Sequence, residues 1–271
     1  MPGLRREEVA VLAGVSTEWY TRLEKGHISG VSEDVLDAVA AALRLDEAEH
    51  TYLFDLARAA SPRRRTDRRR RPVEVPAPIR WMLDTISGSA AIVVNGRLDL
   101  LATNALGRAL YSPVYGHEPG TPNIARYQFL DPSAHDYYTD WDAAANVTVA
   151  LLRTEAGRDP QNKELRELIG ELSTVSEEFR KRWATHNVRL HHGGKKQFNH
   201  PDVGCVDLGY LTVDVSAHRD RALALTIYTA EPGTDSEDRI RLLASWSATH
   251  AASGANADTA AASGSVGNPS R

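Results

Sequence analysis

The sequence predicts an α+β protein: an all-α N-terminal unit, then a domain in which an antiparallel sheet carries flanking helices. Three observations carry this. Residues 4–59 read as short helices broken by tight turns. Residues 61–78, "SPRRRTDRRRRPVEVPAP", hold seven Arg and four Pro and offer little to bury, which is linker composition. Beyond them a strand pair, a group of helices and a run of antiparallel strands follow in that order, which suits an α+β sensor-like domain better than a doubly wound sheet.

Composition sets outer limits. The chain of 271 residues, 42% apolar and 25% charged, can build a proper core in two ordinary domains. A net charge of −4 excludes a uniformly basic coat protein but leaves room for a local basic patch. No apolar run approaches the ~20 residues a bilayer requires, and "MPGLRREEVA" lacks the apolar centre of a secretory signal. Cys205 is the single cysteine, so neither an internal disulfide nor a cysteine zinc site is expected. Its strand looks apolar, which gives it a packing role. A reducing, cytoplasmic setting follows.

The elements divide the chain at 1–60, 61–78, 79–250 and 251–271. In the first part, "EEVAVLAGVSTEWYTRLEKG" ends one helix near Ala13, turns through Gly14 and Val15, and restarts on Ser16. Val9, Leu12 and Ala13 form the inner face of the first helix. Gly14 admits the left-handed turn, Val15 fills the angle, and Ser16 caps the second helix. Tyr20 and Leu23 point inward, leaving Thr17, Glu18, Thr21 and Arg22 on one outward face. This is the pattern of a helix-turn-helix whose second helix enters a major groove N-terminus first. A plain helical hairpin would not need small and polar groups along so short a helix. Residues 1–58 carry six Lys/Arg against eleven Asp/Glu, so neutralisation of phosphates falls to Arg5, Arg6, Arg22, Lys25 and the Arg-rich linker.

In the larger part, "AAIVVNGRLDLLATN" reads as a hairpin around Asn95-Gly96. "ALGRALY" is helical, and residues 136–184 are mainly helical through "WDAAANVTVALLRTEAG", "NKELRELIGELS" and "SEEFRKRWATH". "NVRLHH", "KKQFNHPDVGCVDLGYLTVDV" and "ALALTIYTAE" return to strand. A last helix starts at "TDSE", a capping-box pattern, with Ile240, Leu243 and Trp246 inward, or Leu242 on a rotated face. The Ala/Gly/Ser-rich tail from about residue 251 is expected to be disordered.

These stretches together resemble one family. "GLRREEVAVLAGVSTEWYTRLEKG" and "GVSEDVLDAVAAALRLDEAEHTYLFDLA" are similar to the XRE, lambda-repressor-like, regulators of the MmyB branch. After the linker, "ATNALGRALYSPVY", "YQFLDPSAHDYYTDW", "LLRTEAGRDP", "ELIGELSTVSEEFRKRWATHNVRLH", "HPDVG", "YTAEPG" and "LRLLASW" resemble the MmyB-like ligand-binding region in the same order. The resemblance implies a DNA-binding domain followed by a PAS-like domain holding a small, fatty-acid-like molecule. It places Arg6, Thr17, Glu18, Thr21, Arg22 and Lys25 at the DNA, with Arg5 added from the charge argument. XRE domains carry a helix before the helix-turn-helix pair, and only "MPGL" precedes Arg5 here. The native start is therefore expected upstream, the alternative being that this form folds its DNA-binding part poorly; in either case Val9, Tyr20 and Leu36 are expected to lack a covering partner here.

For the second domain, the residues themselves favour binding over catalysis. There is no H-E-x-x-H, G-x-S-x-G, G-x-x-x-x-G-K-[ST] or G-x-G-x-x-G, so no enzyme is expected. The alternative is a metal sensor or enzyme using His186, His191 and His200, with His192 and Asp202 nearby. Strand alternation places His191 and His192 on opposite faces, which weakens it. Phe129, Tyr137, Tyr138, Trp141, Phe179, Trp183 and Tyr228 exceed what a small core requires. Some of them are expected to line an apolar pocket for an acyl chain, with Arg126, His186 and Arg189 meeting its polar head. A bound fatty acid, a double-stranded operator and a second copy of the chain are the expected partners, with no membrane.

Overall fold

The structure, a computed structural model, describes residues 4–27, 31–60, 74–115, 120–185, 193–216 and 222–247. The N-terminal unit comprises α1 (Arg6–Leu12), α2 (Thr17–Glu24), α3 (Glu33–Leu43) and α4 (Glu47–Ala60). Gly14, at φ +67°, makes the turn after α1, and the Val15 amide closes that helix by donating to the Ala10 carbonyl at 2.9 Å. The Ser16 hydroxyl then accepts from the Trp19 amide at 3.1 Å and caps α2. Val9, Ala10, Ala13, Tyr20 and Val39 form the small core between α1, α2 and α3. A neighbouring cluster joins Leu36 to Phe54 and Ala57 on α4.

Two expectations need correcting here. Leu12 is exposed, and Ala10 takes the inward position. Val9, Tyr20 and Leu36 are covered, and the bare apolar surface is instead Leu4, Val11 and Leu12.

The second part starts with α5 (Ala77–Thr85), which opens inside the Pro-rich stretch because Pro78 sits in its first turn, where a missing amide costs nothing. β1 (Ala90–Asn95) and β2 (Leu100–Thr103) form the expected hairpin. Its turn is held by a buried polar network rather than by Gly96 alone. The Asn95 amide group donates to Asp99 at 2.8 Å, and Asn123 donates to the other Asp99 oxygen at 2.7 Å. α6 (Ala105–Leu110) and a short 3-10 turn at Ser112–Tyr115 follow. Then come α7 (Ile124–Leu130), α8 (Ala134–Tyr137), α9 (Trp141–Arg158), α10 (Lys163–Val175) and α11 (Glu177–Ala184). β3 (Gly193–His200), β4 (Gly204–Asp214) and β5 (Leu223–Ala230) complete an antiparallel sheet in the order β2-β1-β5-β4-β3.

A final helix, α12, occupies residues 235–247. Ile240 and Leu243 are buried as expected, but Trp246 is 42% exposed and so is not an inward residue. The capping also differs: Glu237 accepts from the Gly233 amide at 2.7 Å, while the Thr234 hydroxyl donates to the Glu231 carbonyl.

The sheet has two unlike faces. Ala91, Val93, Leu223 and Leu225 pack under α5 with Val75 and Leu83. Ile92, Val94, Phe198, Val206, Leu208 and Tyr228 face the helices α6 to α12 and make the main core. Cys205 is exposed on the first face, which corrects its expected packing role; Val206 and Leu208 take the inward positions of that strand.

Because Phe198 is wholly buried among rings, Phe198→Ala should cost about 3–5 kcal/mol in urea unfolding. Leu211→Ala, at an exposed position of β4, should stay within about 0.5 kcal/mol of the parent.

Candidate functional site

Two sites stand on this scaffold. On the N-terminal unit, Glu18, Arg22 and Lys25 of the α2 segment are exposed, with Thr17 and Thr21 half-buried beside them. The Thr21 hydroxyl donates to the Thr17 backbone carbonyl at 2.8 Å, which holds the Thr21 side chain against the helix. Arg6 is paired with Glu24, which ties α1 to the end of α2. Arg5 is the N-terminal cap residue of α1, its backbone amide held by Glu8 at 2.7 Å. Neither Arg22 nor Lys25 has an ion pair among the described residues.

The second site is a cavity of about 370 Å³ between α9 and the main-core face of the sheet. α9 contributes Ala143, Ala144, Val147, Thr148 and Leu151, and the sheet contributes Ile92, Val94, Tyr210, Thr226 and Tyr228. The lining on α9 runs from Ala143 to Arg158, and at 1.5 Å per residue that makes this wall about 22 Å long. The shape suits a long apolar molecule, and the volume lies within the range of small-molecule sites.

The two ends of the cavity differ in charge. At the α9 C-terminus, Arg158 pairs with Glu155 at 2.7 Å, so that end is neutralised. At the other end, the Lys196 ammonium lies 4.5 Å from the Tyr138 ring centre and 5.2 Å from that of Phe198. Lys196 is half-buried. Desolvation lowers its pKa from 10.5 to about 8. It has no ion pair among the described residues. The Tyr138 hydroxyl is buried and without a hydrogen-bond partner among them. Deeper in, the Tyr111 and Tyr228 hydroxyls bond to each other at 2.6 Å, and burial pushes both pKa values up.

Of the ligand candidates read from the sequence, Tyr228 lies in the cavity wall. Tyr137 is in the core, its hydroxyl donating to the Leu110 carbonyl at 2.6 Å. Phe129, Trp141, Phe179 and Trp183 form a separate aromatic run away from the cavity. Arg126 is clamped on Glu171 at 2.8 Å and does not line the cavity. His186, Arg189, His191 and His192 lie outside the described residues. His200 is buried, with Nδ1 accepting from the Asp202 amide at 3.2 Å and Nε2 donating to the Ala109 carbonyl at 2.9 Å. No group of three possible metal ligands occurs among the described residues.

Lys196 was missed, although its signal is present. In "KKQFNH", period-2 alternation puts Lys196 on the same face as Phe198 and His200, so an inward cation can be read from the strand itself.

The site geometry meets its counterpart in known families. Residues 75–243 match the model of the MmyB-like transcription regulator ligand binding domain. The chain belongs to the MmyB-like transcription regulators. Residues 2–53 match a helix-turn-helix domain, which gives this MmyB-like protein a DNA-binding unit and a ligand-binding domain in one chain. Both matched families are regulatory. No curated protein matches the chain.

The lysine also sets a pH prediction. Its folded pKa lies below the unfolded value, so between about 8 and 10.5 the unfolded chain binds more protons there and the folded state gains stability as pH rises. Urea unfolding of the parent should therefore gain stability from pH 8 to 10 relative to Lys196→Met, which has no such group. A constant difference between the two would contradict the desolvated placement.

Proposed function

We propose that the protein is a one-component transcription regulator whose second domain senses a fatty acid or acyl metabolite. The observation that carries this reading is the double use of α9. One side of that helix walls the cavity, and another side receives α4 of the DNA-binding unit. At Gly157 the Tyr52 ring lies so close that a Cβ there would overlap it. One turn earlier, Arg153 is buried beneath the same contact, stacked 4.4 Å from the Trp183 ring centre and bonded to the Trp183 carbonyl, with Tyr52 in its electrostatic neighbourhood. A ligand that fills the cavity against α9 therefore acts on the seat of α4. It shifts regulation only to the extent that it prefers one placement of that seat over another.

The α2 face supplies the DNA contacts in this reading. Thr17, Glu18, Thr21 and Arg22 meet base edges, while Arg5, Arg6 and Lys25 meet phosphates. The sheet order β2-β1-β5-β4-β3, with the helices between β2 and β3, supports a PAS-like description of the second domain. A homodimer is supported by the modest surface of one reading helix. Exposed Trp81, Met82, Leu211 and Val213 on the α5 side of the sheet support a dimer made through the second domain. An operator as partner implies a cytoplasmic protein, and the absence of a catalytic motif supports a regulator rather than an enzyme.

Binding of the full chain to DNA from its own upstream region, followed by fluorescence anisotropy with and without dodecanoate, tests the reading. Arg22→Ala should weaken DNA binding about 10–100-fold with little change in fold. Equal affinity of parent and variant would remove α2 from the reading surface. Tyr52→Ala should leave the separate affinities for DNA and dodecanoate near those of the parent but abolish most of the dodecanoate effect on DNA binding. Full retention of that effect would exclude the α4–α9 seat as the route.

A further inference from the structure

We infer that Lys196 and Tyr138 form a receptor for a single carboxylate, so that the cavity selects long-chain acids over neutral lipids of equal length. The inference rests on the proposed acyl-binding role of the cavity and adds which end of the ligand is read, and by which atoms.

The cavity is apolar along its length, so its polar groups decide orientation. Arg158 is answered by Glu155. Lys195, at the rim, pairs with Glu231 at 3.4 Å. The Asp140 carboxylate, also at the rim, is committed to the Ala143 amide at 2.9 Å as the cap of α9. The Thr212 and Thr226 hydroxyls bond to each other at 2.9 Å. Among the cavity's charged side chains Lys196 is left without an ion pair among the described residues, 4.5 Å from the ring centre of Tyr138, whose buried hydroxyl makes no hydrogen bond among them.

An ammonium held against two rings without an ion pair is costly, and the buried hydroxyl of one of those rings makes no hydrogen bond among the described residues. A carboxylate placed there would accept from both: one oxygen from Nζ and one from the phenol. The pair also limits the charge it can take. One ammonium balances one negative charge, so a phosphate, at −1.5 to −2, would bring an uncompensated charge into the apolar cavity. With the head at Lys196, the chain runs along α9 past Val147 and Leu151 toward the Glu155–Arg158 pair, which closes the far end.

Isothermal titration of the delipidated full chain at pH 7 with dodecanoate, its methyl ester and dodecan-1-ol, all below their aggregation limits, tests this. The parent should bind dodecanoate at least about tenfold more tightly than the ester or the alcohol, as expected of a charge-assisted bond in a mainly apolar cavity. Lys196→Met should erase that gap by weakening dodecanoate alone, with the ester unchanged as the control for an intact cavity. Tyr138→Phe should narrow the gap in part. Equal affinity of the parent for acid and ester, or a gap that survives Lys196→Met, overturns the receptor while leaving an acyl cavity in place. If Lys196→Met loses both ligands, Lys196→Arg decides: a restored preference for the acid supports the receptor, and its continued loss overturns it. Failure of the parent to bind any of the three overturns the acyl reading itself, and the receptor with it.

Discussion

The close approach of α4 to α9 is the constraint on which the molecule's logic depends. α9 is a helix with work on every side. Ala145, Val149 and Leu152 are buried, Val147 and Leu151 wall the cavity, and Gly157 admits the Tyr52 ring. Such a helix cannot show a single apolar stripe, because burial on several faces replaces the one-sided pattern of a surface helix. It also cannot move on one side alone. Interiors packed at crystal density transmit displacement rather than absorb it, so a change at the cavity wall must be accommodated at the α4 seat or by repacking of the core.

The second constraint is electrostatic. The domain buries much of its polar chemistry in satisfied networks. Asn95, Asp99 and Asn123 pin the hairpin to α7, Asn104 ties β1 to α6 through the Ala91 and Gly107 amides, and His200 has both ring nitrogens engaged. Against that background an ammonium over two rings, with no ion pair among the described residues, stands out, since most buried polar groups are paired. Its depressed pKa reflects desolvation against the rings and the sheet.

Much of the architecture was legible in the sequence, for identifiable reasons. Gly14 and Ser16 encode a turn and a cap locally, so the helix-turn-helix could be placed almost to the residue. Asn95-Gly96 announced the hairpin. The misses share a cause: they depend on partners far away in the chain. Leu12 and Trp246 have the right spacing for an inner face but meet no neighbour. α5 was hidden because its first residues belong to a Pro-rich stretch, where proline reads as a breaker although it is at home in a first turn. The candidate pocket was harder still. Aromatic content pointed to a pocket, but of the seven rings only Tyr138 and Tyr228 line the cavity, because which rings line space and which fill it depends on the packing of α7, α8 and α11. Arg126 looked available until Glu171, 45 residues on, came to it.

The central claim is that occupancy of the cavity reaches the DNA-binding unit through α9. Hydrogen exchange of the full chain with and without dodecanoate measures this directly, since amide protection reports local opening element by element. The account predicts that saturation changes protection in α9 and, with it, in α4. A change confined to α9 and the sheet, with α4 exchanging as in the free protein, would contradict it.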